Sequence, residues 1–198
     1  RSPSRGLEMC IRDSGAFVFR EGLFTPAQTA LCTGLSPAMQ RNWRQAGHIA
    51  PRTSDMALFS PRELAAIRIM VVLRDVGLGP LLSRSIAEEA APSVIWLALS
   101  DHPETWTVAG DTKNADSYRD RVLADDGGLR EMAGLTGPAF AFGIAQGGSV
   151  DLVSDIDAES FGEDDEVESV VKLAAVAKRI ASTISQPLVT VIPPSARA

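Results

Sequence analysis

Thr25-Pro-Ala-Gln-Thr-Ala-Leu-Cys-Thr-Gly34-Leu-Ser36-Pro-Ala-Met-Gln-Arg-Asn-Trp-Arg-Gln-Ala-Gly47 is the stretch whose reading decides the fold. Thr25 before Pro26 is a helix N-cap with proline in the first helical position, where the missing amide hydrogen costs nothing. Ala27, Ala30 and Leu31 then form a narrow apolar stripe, and Gly34 supplies a turn. Ser36-Pro37 repeats the start signal for a second helix, which Gly47 ends. Two short helices joined by a tight glycine turn predict a helix-turn-helix, whose second helix suits a DNA major groove.

On that second helix Met39 and Trp43 stand four apart and are expected to anchor it to the core, while Gln40, Arg41 and Arg44 reach outward. Arginine pairs with phosphates and guanine edges, and glutamine with adenine. Beyond Gly47, His48-Ile49-Ala50 and Met56-Ala57-Leu58-Phe59 flank the polar loop Pro51-Arg52-Thr53-Ser54-Asp55, the pattern of a wing. Ser60-Pro61-Arg62-Glu63 is a third capped start, with Glu63 placed to complete a capping box. The helix it opens carries Leu64, Ile67, Val71 and Leu73 inward and stops at Gly77.

These residues together resemble the winged helix-turn-helix domain of the MerR family of transcriptional regulators. In that family a Gly-Val-Ser turn leads into a recognition helix with an Arg-Tyr-Tyr core. A Gly-Leu-Leu, a proline–arginine pair and a Tyr-Ser before the next helix follow. Here Gly34-Leu35-Ser36 matches the turn, Arg41 the arginine, Trp43 the second tyrosine, Gly47 the glycine, Pro51-Arg52 the pair and Phe59-Ser60 the Tyr-Ser. Asn42 stands in place of the first tyrosine, Ala38 in place of a base-reading arginine, and the wing is shorter. The resemblance covers residues 23 to 90 or so and implies a regulator that binds double-stranded DNA as a homodimer. Thr25, Ser36, Gln40, Arg41, Asn42, Arg44, His48 and Arg52 are the DNA-binding residues it implies.

Charge points the same way. The chain of 198 residues has a net charge of -6, but residues 1–85 carry 11 Lys+Arg against 6 Asp+Glu, and residues 86–198 carry 8 against 19. A basic half joined to an acidic one is expected of a DNA-binding module coupled to something else. All eleven basic residues of the first half are arginine, suited to bidentate phosphate contact. At 45% apolar and 22% charged residues the composition is that of a soluble globular protein, long enough for two small domains. No apolar run approaches the ~20 residues of a membrane helix, and nothing reads as a signal peptide, although the chain opens on Arg1. Cys10 and Cys32 match no disulfide framework or metal spacing, so a cytoplasmic protein without membrane contact is expected.

The second half reads differently. Gly77-Leu78-Gly79-Pro80 precedes a helix through Leu81, Leu82, Ile86 and Ala90 that Pro92 interrupts; Val94–Leu99 is then a further buried helix or a strand. Trp106-Thr107-Val108 is a short strand, and Asp116–Ala124 a short helix ended by Gly127-Gly128. Phe140, Phe142 and Ile144 alternate with small residues, Gly147-Gly148 fits a tight turn, and Val150 and Leu152 resume the alternation, predicting a β-hairpin. A helix is expected from Val167 to Ser185, behind the acidic run Glu163–Glu166, with Val170, Leu173, Ala174, Ala177, Ile180 and Ile184 on one side; Val170, Leu173, Ala177, Ile180 and Ile184 are the best available dimerisation stripe. Leu188–Ile192 is a strand.

The expected fold class is mainly α with an α+β C-terminal part. It comprises an N-terminal arm (1–22), a winged helix-turn-helix domain (23–91) and an α+β regulatory and dimerisation domain (92–198) that fits a small-molecule or protein effector. Catalytic and metal chemistry find no foothold. Gly143–Gly148 lacks the lysine of a phosphate loop, and His48 and His102 lie far apart without cysteines or paired carboxylates at ligand spacing. Trp96, Trp106 and Tyr118 read as core residues more readily than as a pocket lining. Neither an enzyme nor a cofactor is expected. The alternatives are a phage-type excision or packaging factor with the same winged fold, and a partner-binding module in which the helix-turn-helix is structural.

Overall fold

The structure, a computed structural model, describes residues 17–51, 58–110, 122–123, 128–146, 149–154 and 167–193. These form a mixed α/β protein with six α-helices and two three-stranded sheets. In chain order the elements are β1 (Val18–Glu21), α1 (Pro26–Thr33), α2 (Pro37–Gln45), α3 (Pro61–Asp75), α4 (Pro80–Asp101) and β2 (Trp106–Val108). Then come α5 (Gly128–Ala133), β3 (Phe142–Gln146), β4 (Ser149–Val153), β5 (Val167–Lys172), α6 (Leu173–Ala181) and β6 (Val189–Ile192).

The starts of the first three helices follow local chemistry closely. Thr25 Oγ1 accepts from the Gln28 amide at 3.3 Å while Gln28 Oε1 accepts from the Thr25 amide at 2.9 Å. Ser60 and Glu63 close the same reciprocal box at 3.2 and 2.8 Å. Gly34 ends α1 in the left-handed region at φ 79°, a conformation that costs a residue with a Cβ about 1 kcal/mol or more. From α3, Arg68 Nη1 donates to the Thr33 carbonyl at 3.1 Å and so ties the last turn of α1 to the helix behind it.

α4 departs from expectation. It is one helix of 22 residues that runs through Pro92, where an interruption was expected. A proline within a helix costs on the order of 3 kcal/mol through the lost hydrogen bond and ring crowding. Burial outweighs that cost here: Ala87, Ala90, Ala91, Val94, Ala98 and Leu99 are all fully enclosed, and α4 packs on α3, α5 and α6. Its small residues let those helices approach closely. The expected division at 91/92 therefore falls inside a continuous helix, at its buried middle. Residues of the N-terminal arm are also tied to the far end of the chain, because β1 pairs with β6.

β6 is the centre of the first sheet. It lies antiparallel to β1, with Val18 opposite Ile192, and parallel to β2, with Trp106 opposite Val189. Val189 and Val191 are fully buried and Thr190 and Ile192 less so, the alternation of a half-covered sheet. β3 and β4 form the expected hairpin, Gln146 opposite Ser149, and belong to a second sheet completed by β5. The hairpin and β6 thus do not share a sheet.

Residues 167–172 are strand, where the start of a helix was expected. Val171 is buried and Val170 is 41% exposed, so burial there alternates with period two, and β3 offers an edge to pair with. The helix proper, α6, begins only at Leu173 and ends at Ala181, short of the expected Ser185. Its buried stripe is Leu173, Val176, Ala177 and Ile180, all within the chain's own core, whereas Val170 and Ala174 face out. The stripe expected to dimerise is therefore already covered. The expected helix at Asp116–Ala124 and the acidic run Glu163–Glu166 lie outside the described residues, apart from positions 122–123, which are helical. Gly128 opens α5 instead of closing a helix.

Candidate nucleic-acid interface

α1, the Gly34 turn and α2 form the two-helix unit that the capping signals predict, but the two helices present different faces from those expected. In α1 the buried residues are Thr29, Cys32 and Thr33, and Leu31 is 65% exposed, so the Ala27–Ala30–Leu31 stripe is not the core face. Thr33 Oγ1 returns its proton to the Thr29 carbonyl at 2.7 Å, which lets a hydroxyl be buried without an unmatched donor. Burial pushes the Cys32 thiol above its usual range, against smaller lowering effects from a hydrogen bond with Thr183 and from Arg179.

In α2 the core residues are Gln40 and Trp43, three apart. Trp43 anchors the helix as expected; Met39, 37% exposed, is not part of the core. Gln40 does not reach outward. It is 1% exposed, and its Nε2 donates to the Pro26 carbonyl at 3.0 Å and the Leu35 carbonyl at 2.8 Å. The amide thus bridges the first turn of α1 to the interhelix turn. Sequence spacing alone does not reveal this, since a glutamine beside two arginines looks like part of a polar face.

Arg44 is also turned back, against the outward reach expected of it. Its Nε donates to the Ala50 carbonyl at 3.2 Å, and its guanidinium lies 5.0 Å from the centre of the Phe59 ring. His48 is half-buried, with its ring edge-on to Trp43 at a centroid distance of 6.4 Å. Arg84 of α4 donates to the Gly47 carbonyl at 2.6 Å and pins the end of α2. Phe59 pairs with Phe24 through reciprocal backbone hydrogen bonds of 2.8 and 2.9 Å, and both rings are fully buried. The described end of the expected wing is therefore paired to the entry of α1. Arg52 and the rest of the wing tip lie outside the described residues.

What remains outward on α2 is a single face. Ala38, Arg41, Asn42 and Gln45 are exposed and recur at steps of three, one and three along the helix. Thr25 and Ser36 are exposed as well, with their hydroxyl oxygens engaged as caps, Ser36 Oγ accepting from the Met39 amide at 3.3 Å. Of the eight sequence-derived site residues, Arg41 and Asn42 thus share the free face, Thr25 and Ser36 hold helix starts, and Gln40, Arg44 and His48 support the unit from within. Gln45 is the member that the sequence reading missed. Its spacing, four after Arg41 and three after Asn42, is the signal that could have found it.

Among the described residues no group of three or more His, Cys, Asp or Glu side chains is placed to hold a metal ion, and no helix is long and apolar enough to cross a membrane. Compared with models of known families, with curated proteins and with solved structures, the chain matches none of them.

Proposed function

We propose that the chain is a sequence-specific, double-stranded-DNA-binding transcriptional regulator of MerR-like type, acting as a homodimer. The observation that carries this reading is the outward face of α2, Ala38–Arg41–Asn42–Gln45, mounted on a capped two-helix unit with a glycine turn. Arg41 has the donors for a guanine edge or a phosphate, and Asn42 and Gln45 have the amide geometry that pairs with adenine. Ala38 leaves room for the backbone to approach a groove. The arginine-rich first half supplies the attraction to phosphate, and the acidic second half limits non-specific adherence.

The test is selection of a site from random duplexes, followed by binding of variants to that site. Arg41→Ala and Asn42→Ala each weaken specific binding by about 1–3 kcal/mol, the worth of a good base contact, and leave the melting temperature unchanged. Affinity falls steeply with salt as counterions are released. A double variant that binds as tightly as the parent overturns the interface. A monomeric mass by sedimentation, with and without the selected duplex, overturns the dimer.

A further inference from the structure

A small cleft of about 210 Å³ opens between the end of β1, the first turn of α3, the middle of α4 and the end of α5. Its floor and wall are apolar, formed by Pro61, Ile95 and Met132, of which Ile95 is 2% exposed. Around it stand three charged side chains, Glu21, Arg62 and Glu131. All three are exposed, and among the described residues none makes a side-chain hydrogen bond or an ion pair, although Arg62 acts on Glu21 through space.

The neighbouring groups do not satisfy them either. Glu63 is close enough to act on Glu21, but as a like charge it repels it, and its carboxylate accepts from the Ser60 amide at 2.8 Å. The Glu21 carboxyl is held above its usual range, chiefly by burial and then by the like charge of Glu63, with Arg62 pulling weakly the other way. The residue as a whole remains exposed, at the end of β1 where it lines the cleft. At the opposite lip Gly134 turns at φ 78°, and a Cβ there would come within 3.1 Å of Arg62 Nη1. The absence of a side chain at that position leaves room for the Arg62 guanidinium beside it.

The geometry points to a binding site for a small zwitterion, an α-amino acid with an aliphatic side chain, in which Arg62 takes the carboxylate, Glu21 and Glu131 take the ammonium, and Ile95, Met132 and Pro61 take the side chain. A ligand carrying both charges supplies each unpaired group with its opposite in one step. A simple amine leaves Arg62 facing a cation, and a simple acid sets a third carboxylate beside two others. The volume lies below the roughly 300–1,000 Å³ of sites for drug-sized ligands, as an amino acid requires. The site is independent of whether α2 meets DNA.

Three compounds of one shape decide the matter: leucine, 3-methylbutylamine, which lacks its carboxylate, and 4-methylpentanoate, which lacks its ammonium. Each is titrated into the full chain with ¹³C-methyl-labelled methionine, the Met132 resonance being assigned by its loss in Met132→Leu. Leucine moves the Met132 methyl saturably, and the amine and the acid bind at least about tenfold more weakly, each having lost a charge-assisted contact. Arg62→Gln brings leucine down to the level of the amine. No movement of Met132 with leucine, or equal binding of the three compounds, overturns the proposal. Those comparisons use the unaltered chain, so they decide even if Arg62→Gln fails to fold.

Discussion

Replacing Gln40 with alanine separates two roles for this residue that make opposite demands. A glutamine that reads bases from an outward face contributes to DNA affinity and almost nothing to stability. A glutamine that clamps α1 to the interhelix turn does the reverse. Its Nε2 makes two hydrogen bonds, a part-buried one to Pro26 and a buried one to Leu35, worth together roughly 1–3 kcal/mol net. Truncation also empties space in a packed region and strands two carbonyls, which adds about 1–2 kcal/mol. Against this, Oε1 is buried with no hydrogen-bond partner, so removing it recovers on the order of 1 kcal/mol. The expected loss for Gln40→Ala is therefore about 1–4 kcal/mol. Gln40→Met keeps the volume and discards the unsatisfied oxygen along with the donors, and should cost less, about 1–2 kcal/mol. Urea titration of both variants measures the shift in midpoint at constant slope. A Gln40→Ala protein within about 0.5 kcal/mol of the parent, the range of ordinary surface substitutions, refutes the clamp.

Two further outcomes follow from single contacts. Ser60→Ala opens the capping box at the start of α3 and should cost about 0.5–2 kcal/mol in the same titration, with Arg41-dependent DNA binding altered only through stability; an unchanged midpoint removes the box from the stabilising contacts. Glu21 carries a pH dependence of defined sign. Its raised carboxyl holds a proton more tightly in the folded chain than in the unfolded one, so its contribution is present in acid and is lost as pH rises through the raised value. Glu21→Gln should thus be more stable than the parent at neutral pH, with the gain shrinking as pH falls through the carboxylate range; a variant less stable at neutral pH contradicts the burial of that carboxyl.

The sequence by itself determined the elements whose causes are local. Thr25, Ser36 and Ser60 mark three helix starts because a side-chain oxygen and a following proline act within one turn. Gly34 marks a turn because a left-handed residue disfavours a Cβ, and the 140–152 hairpin is visible because alternation and a glycine pair are read along the chain itself. Of the three residues read as outward on α2, Arg41 is so. Tertiary structure alone decided the rest. Pro92 sits inside α4 because neighbouring helices bury the residues on both sides of it, an effect that no local propensity contains. Val167–Lys172 is strand because β3 provides a partner from across the chain. Gln40 and Arg44 turn inward because the carbonyls of Pro26, Leu35 and Ala50 and the ring of Phe59 wait there, brought together only when the helices pack. The cleft between Glu21, Arg62 and Glu131 is of the same kind: residues far apart in the chain come to line one cleft that none of them marks in sequence.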